Sequence, residues 1–155
     1  MGILTTDMKR IVEEQRLGYV ATVCPDGKPN LSPKGTLAVW DDDHIVFADL
    51  RSPGTVENLR HQPILEINVV DPIARKGYRF KGEATVATDG TLFDAGCEFY
   101  RRRGLTNPIR GIVLVTVQRA SALLSPAYDL DMTEDRVRAD WQRYYDGINL
   151  SLIHI

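Results

Sequence analysis

The chain is predicted to fold as a mainly β protein, a small antiparallel barrel of about six strands with short helices in the gaps. Three observations carry this expectation. Runs of β-branched and aromatic residues recur at strand length, set off by turn signals rich in Pro, Gly and Asp. The helical stretches are short and do not alternate one for one with the strands, which argues against a doubly wound parallel sheet. The run from Arg110 to Leu124, with Gly-Ile-Val-Leu-Val-Thr-Val at its centre, suits a strand buried on both faces. At 155 residues the chain can build one real core and not two, so a single domain is expected over 1–147. Residues 148–155 show no cap or partner and are set apart as a tail, a truncation or a remnant of cloning.

Taken in order, Thr6 to Arg16 places Met8, Ile11, Val12 and Gln15 at helical spacing, with Thr6 or Asp7 as cap. Gly18 to Val23 is the first strand. Pro25-Asp26-Gly27 supplies a turn, and a return strand from Pro29 through Leu31 to Trp40 completes a hairpin, interrupted at Pro33 and Gly35. The turn Asp41 to Asp43 leads into the strand His44 to Ala48, giving a three-strand meander. Ser52 before Pro53 marks a helix start with proline at the first helical position; Val56 and Leu59 share a face and Pro63 ends the element. Ile64 to Val70 is a strand ended by Asp71-Pro72. Gly77 to Thr88 is the next, with Tyr78, Phe80, Ala84 and Val86 on one face and Arg79, Lys81 and Glu83 on the other. Asp89 to Gly104 and Thr133 to Tyr145 are read as helices on either side of the Arg110–Leu124 strand, the latter on the spacing of Val137, Trp141 and Tyr144.

Composition narrows the function classes. A net charge of −2 gives no electrostatic reason to expect a nucleic-acid partner. No apolar run is long enough to span a bilayer, and the N-terminus lacks the apolar core of a signal peptide, so a cytoplasmic location is expected. Cys24 and Cys97 are far apart, and His44, His61 and His154 lack metal-ligand spacing; no metal site is expected. There is no G-x-G-x-x-G, Walker loop or G-x-S-x-G, and no residue is assigned a catalytic role.

The stretch with chemical content is the start of the Pro53 helix. A helix start gathers unpaired N–H groups and partial positive charge, Gly54 lets a ligand approach the backbone, Thr55 offers a hydroxyl and Arg51 adds a full charge. Many Ser-Pro helix starts bind nothing, and capping alone explains this one as well. Lys34 stands between Pro33 and Gly35, with Ser32 on its side of the pleat. It reads either as an edge-strand lysine that blocks aggregation or as a second cation for the same anion, brought there if its strand pairs with the one leading to Ser52. The basic run Arg101 to Arg103 reads as a solvated helix end or as a rim over an anionic ligand.

The ordered set Tyr19-Val20-Ala21-Thr22-Val23, Pro25-Asp26-Gly27-Lys28-Pro29, Ser32-Pro33-Lys34-Gly35, Val46-Phe47-Ala48-Asp49, Ser52-Pro53-Gly54-Thr55, Asn58-Leu59, Pro63 and Gly77 to Ala84 resembles the pyridoxamine 5'-phosphate oxidase-like FMN-binding split-barrel family. The resemblance covers roughly residues 10 to 120. It implies a six-stranded split β-barrel and a homodimer with FMN at the interface. It also implies cofactor contacts from Ser32 and Lys34, from the backbone of Phe47 and Ala48, from Arg51, Ser52, Gly54, Thr55 and Asn58 at the phosphate end, and from Arg79 on the interface strand. The oxidases carry basic residues around the positions of Gly54 and Thr55, and their C-terminal substrate-binding pattern has no match after Thr133. The implied function is therefore an FMN-dependent oxidoreductase, of flavin reductase or oxidase type, rather than an enzyme of a phosphorylated vitamin. Trp40 or Tyr100 would line the face that admits NAD(P)H or another small donor. The alternatives are a noncatalytic flavin or haem carrier, a deazaflavin (F420)-dependent reductase, and a ligand-free interaction barrel.

Overall fold

The structure, a computed structural model, describes residues 2–152. Turn chemistry sets its first hairpin. Strand β1 (Gly18–Val23) pairs antiparallel with β2 (Pro29–Lys34), and between them Gly27 takes φ 83°, a left-handed conformation that glycine adopts without a Cβ clash. The return strand to Trp40, expected to be interrupted at Pro33 and Gly35, is divided there into two. After β2 the chain leaves the ladder at Gly35-Thr36-Leu37 and forms a second short strand, β3 (Ala38–Val39). Among the described residues there are accordingly seven strands rather than six.

The others are β4 (His44–Asp49), β5 (Ile64–Asp71), β6 (Lys76–Ala87) and β7 (Gly111–Leu124). They make one antiparallel sheet in the order β2-β1-β5-β6-β7-β4-β3, curled into a half-barrel. The expected meander of three paired strands does not form. Strand β2 is an edge that pairs with β1 alone, while β4 lies between β3 and β7 at the opposite end of the sheet. Only curvature brings the two ends near each other. Curvature has a local source in β7, where a bulge lets Lys81 oppose Arg119 and Gly82 oppose Val117. A Cβ on Gly82 would sit 2.2 Å from the Thr116 carbonyl oxygen, so the close approach of β6 and β7 requires glycine there.

The concave side holds the core: Val20, Ile45, Phe47, Ile67, Phe80, Val113 and Val115, each removed from water. Each such side chain contributes about 1.5–3 kcal/mol. Helix α1 (Thr6–Gln15) covers one opening with Ile11 and Val12, and α2 (Pro53–His61) adds Leu59. The N-cap of α1 is Thr5, not Thr6 or Asp7; its hydroxyl accepts from Met8 N–H at 3.3 Å, and Asp7 instead accepts from the Tyr78 hydroxyl at 2.6 Å. Helix α3 (Gly90–Arg102) covers a second cluster around Ala38, Val46, Ala48 and Ile112 through Tyr100. Strand β7 is closed in from Gly111 to Val115, as expected, but beyond Thr116 it is largely open to solvent.

A 3-10 turn (Pro126–Leu130) leads to α4 (Glu134–Leu152), longer than the predicted Thr133–Tyr145. Residues 148–152, set apart in the sequence, continue this helix; residues 153–155, with His154, lie outside the described part. Among the described residues no helix is long and apolar enough to cross a membrane.

Candidate functional site

The site lies where the β2 edge curls toward the start of α2. Pro33 and Lys34 fall on opposite faces of the pleat, and Lys34 opposes Gly18, the residue whose missing Cβ leaves room beside Leu37 and Val69. The lysine is therefore directed inward and is only 4% exposed. Its Nζ donates to Ser32 Oγ at 2.6 Å, to Ser52 Oγ at 2.9 Å and to Thr55 Oγ1 at 3.2 Å. Burial lowers the Lys34 pKa from its ordinary value, opposed by the charge of the nearby Asp49 carboxylate.

The entry to α2 is built around this lysine. Ser52 sits at the N-cap but its hydroxyl caps no helix N–H, because it is turned to Lys34 instead. Asp49, also buried, fixes the Ser52 backbone by accepting its N–H at 2.7 Å. Pro53 has no N–H to satisfy, and Gly54 is exposed with nothing within 4 Å of where a Cβ would stand, so a ligand can approach the first turn closely. The residues present fit a phosphate: one ammonium, three hydroxyls and an open helix start.

Other predicted residues take different places. Asn58 is buried and donates to Thr22 Oγ1 at 3.0 Å and Cys24 Sγ at 3.6 Å. Thr22 also accepts from Asn30 Nδ2 at 3.3 Å. Asn58 thus tethers α2 to β1. Asn58→Ala is expected to cost about 1–2 kcal/mol, the value of one buried amide left out of its network; a urea titration indistinguishable from wild type would show that the tether bears no load.

Phe47 lies in the core, and the Ala48 backbone is already engaged: its N–H donates to Thr36 Oγ1 at 3.0 Å and its carbonyl accepts from the same hydroxyl at 3.1 Å. Thr36, which sequence reasoning missed, therefore stitches the β2–β3 loop to β4 where no ladder exists. Arg51 is exposed and forms no ion pair among the described residues. Arg79 is not brought to Lys34. It lies on the convex face in line with Asn68 and Tyr19, and its Nε is 2.7 Å from Glu66 Oε1. The run Arg101 to Arg103 makes no rim over Lys34. Arg101 and Arg102 pair with Glu98, and Arg103 pairs with Glu13 and covers Phe99. Trp40 packs on Phe99, and the Tyr100 hydroxyl donates to Thr36 O at 2.6 Å; burial pushes that phenol well up. A small cavity of about 180 Å³ remains between Tyr100, Arg16 and Gly35.

A curled antiparallel half-barrel with short helices closing its openings defines a split-barrel protein. Residues 4–123 match the family model described as pyridoxamine 5'-phosphate oxidase, and the chain belongs to that family. It is similar to the crystal structure of tagged HupZ from Group A Streptococcus, with 30% identity, a TM-score of 0.72, and 79% of this chain and 96% of that chain covered. Two others share the fold. An FMN-binding protein from Syntrophomonas wolfei subsp. wolfei has 17% identity and a TM-score of 0.64, covering 77% of this chain and 85% of that one. An F420 reductase has 22% identity and a TM-score of 0.60, covering 76% and 98%. No curated protein sequence matches the chain.

Proposed function

We propose that the protein is an FMN-dependent oxidoreductase, of flavin reductase or oxidase type, acting on a small molecule. The observation that carries this reading is the convergence of Ser32, Lys34, Ser52 and Thr55 from two ends of the sheet on one point beside the open first turn of α2. A buried lysine is costly unless its charge has a use, and a phosphate at that point supplies one. Family membership supports the same choice. When bound, FMN supplies the hydride or electron chemistry. In this reading the cluster at the start of α2 holds the phosphate, and Thr36 fixes the β2–β3 loop to β4 beside it.

The working form in this reading is a homodimer. Tyr19 and Leu31 stand on the convex face of adjacent strands with exposures of 48% and 66%, beside Ile64 and Val70 on β5. Large side chains left open on one sheet face favour a second copy. Arg79 on that face would then serve the site of the other subunit, which accounts for its distance from Lys34.

The visible spectrum of freshly purified protein, followed by release and identification of the chromophore, tests the proposal. FMN that is bleached by NAD(P)H under anaerobic conditions is the expected result. A colourless protein that fails to take up FMN would reject it, and a flavin that no reductant bleaches would leave a carrier instead of an enzyme.

A further inference from the structure

We infer that Lys34 acts on the bound anion through Ser32 and Ser52 rather than by touching it, so that the group recognised is an acceptor-only oxyanion such as a terminal phosphate. This rests on the reading of the site as a flavin phosphate site. An ammonium has three N–H donors. Lys34 directs them to three hydroxyl oxygens, at 2.6, 2.9 and 3.2 Å, and is almost wholly enclosed. No donor is left over for a ligand.

The hydroxyls are different. Each carries one donor and two lone pairs, so accepting from the ammonium leaves its own hydrogen to be given elsewhere. Neither Ser32 nor Ser52 donates that hydrogen to another group among the described residues, and both are only half-buried, whereas Thr55 is enclosed and closes the back of the cluster. A hydroxyl that accepts from a cation is polarised into a better donor. Asp49 matters here too. It accepts the Ser52 N–H at 2.7 Å and so fixes the backbone that carries one of the two free donors. Recognition then depends on short-range donors of fixed direction. Lys34 is in this sense a positioning residue.

Flavin binding to four apo-proteins tests the inference: wild type, Lys34→Met, Ser32→Ala/Ser52→Ala, and the triple variant, each titrated with FMN and with riboflavin. Methionine keeps the length and apolar stem of the lysine, and thermal melting confirms which variants fold. Wild type is expected to prefer FMN over riboflavin at least tenfold. Lys34→Met and the double serine variant should each lose most of that preference, and adding Lys34→Met to the serine variant should cost less than twofold more. An equal fold-loss from Lys34→Met in both backgrounds would show that the ammonium meets the phosphate directly and would overturn the inference. Absence of any FMN preference in wild type removes the phosphate reading itself, and the inference with it. If Lys34→Met does not fold, the Lys34 ammonium NMR signal of unaltered protein decides: through-hydrogen-bond coupling to the FMN phosphorus overturns the inference, and an ammonium that keeps its free-state signal upholds it.

Discussion

Asp71→Ala is expected to lower stability by about 3 kcal/mol and to loosen α4 from the sheet. Asp71 ends β5, is 5% exposed, and accepts from Ile73 N–H at 2.8 Å, Ala74 N–H at 2.9 Å and Arg138 Nη2 at 2.9 Å. Alanine would leave the buried Ala74 N–H and the half-buried Ile73 N–H without partners, at about 1–3 kcal/mol for a fully desolvated group and less for the second. The Arg138 pair adds less. That guanidinium is more than a third exposed and keeps Glu134 as a partner, so its contribution is screened to about 1 kcal/mol. The Arg138 contact holds α4 together with the Lys76–Glu134 pair; the helix has Val137 as its sole buried side chain, and the Arg75 guanidinium lies over its Trp141 ring. Hydrogen exchange should therefore speed up along α4 before the sheet opens. The pH dependence has a definite sign. Burial pushes the Asp71 carboxyl up, but the Ala74 and Ile73 N–H groups and Arg138 outweigh it and hold the folded-state pKa below the usual value. A depressed carboxyl pKa gives stability that is present above the unfolded value, about 3.9, and is lost as pH falls through the folded one. Denaturation curves of wild type and Asp71→Ala should thus differ at neutral pH and converge in acid. A difference under 1 kcal/mol at pH 7 would mean that the turn is satisfied without Asp71.

Local chemistry was readable wherever one residue decides one bond or turn. Gly27 at the hairpin, Pro53 at the first helical position, and the alternation of Phe80 with Lys81 all stand where period and turn rules put them. Long-range pairing was not readable. Pro33 and Gly35 mark the break after Lys34, but nothing in the composition of β2 says that β4 will choose β7 over it, because that choice depends on sheet curvature, to which the distant bulge in β7 contributes. Lys34, Ser52 and Thr55 do come together, though not by the pairing offered for it: Lys34 reaches Ser52 and Thr55 across the seam of the barrel, not across a ladder. Asn58 and Arg79 are named from the resemblance alone, and what no spacing rule shows is where the fold turns them, the Asn58 side chain to Thr22 and Arg79 to the convex face. Thr36 gave no signal, since a threonine beside a Lys-Gly pair looks like any loop hydroxyl until β4 is placed next to it.

Gly54→Arg is expected to tighten FMN binding ten- to hundredfold while leaving riboflavin binding unchanged. The space exists: Gly54 is exposed, a Cβ there meets nothing within 4 Å, and the backbone is outside the left-handed region that would disfavour a side chain. A guanidinium reaching a phosphate from the first turn of α2 would add a charge-assisted hydrogen bond, about 1.5–3 kcal/mol, and each 1.4 kcal/mol is a factor of ten. Solvent access at this position favours the lower end. Stability should hardly move. Replacing glycine in a helix gains about 0.8 kcal/mol of propensity, and a cation at a helix N-terminus forfeits about 0.3–1 kcal/mol against the dipole. Gly54→Gln separates the two effects, since it gains the propensity without the charge and should leave FMN affinity near wild type. The substitution would restore the kind of basic group that the resembling oxidases place at this turn, so its outcome bears on why this chain can do without one. A gain confirms that the phosphate lies at the mouth of α2 and that Lys34 with its hydroxyls holds it at less than full strength. An unchanged FMN affinity, with a protein that melts normally, would place the phosphate elsewhere and leave Lys34, Ser52 and Thr55 as a structural knot at the seam of the barrel.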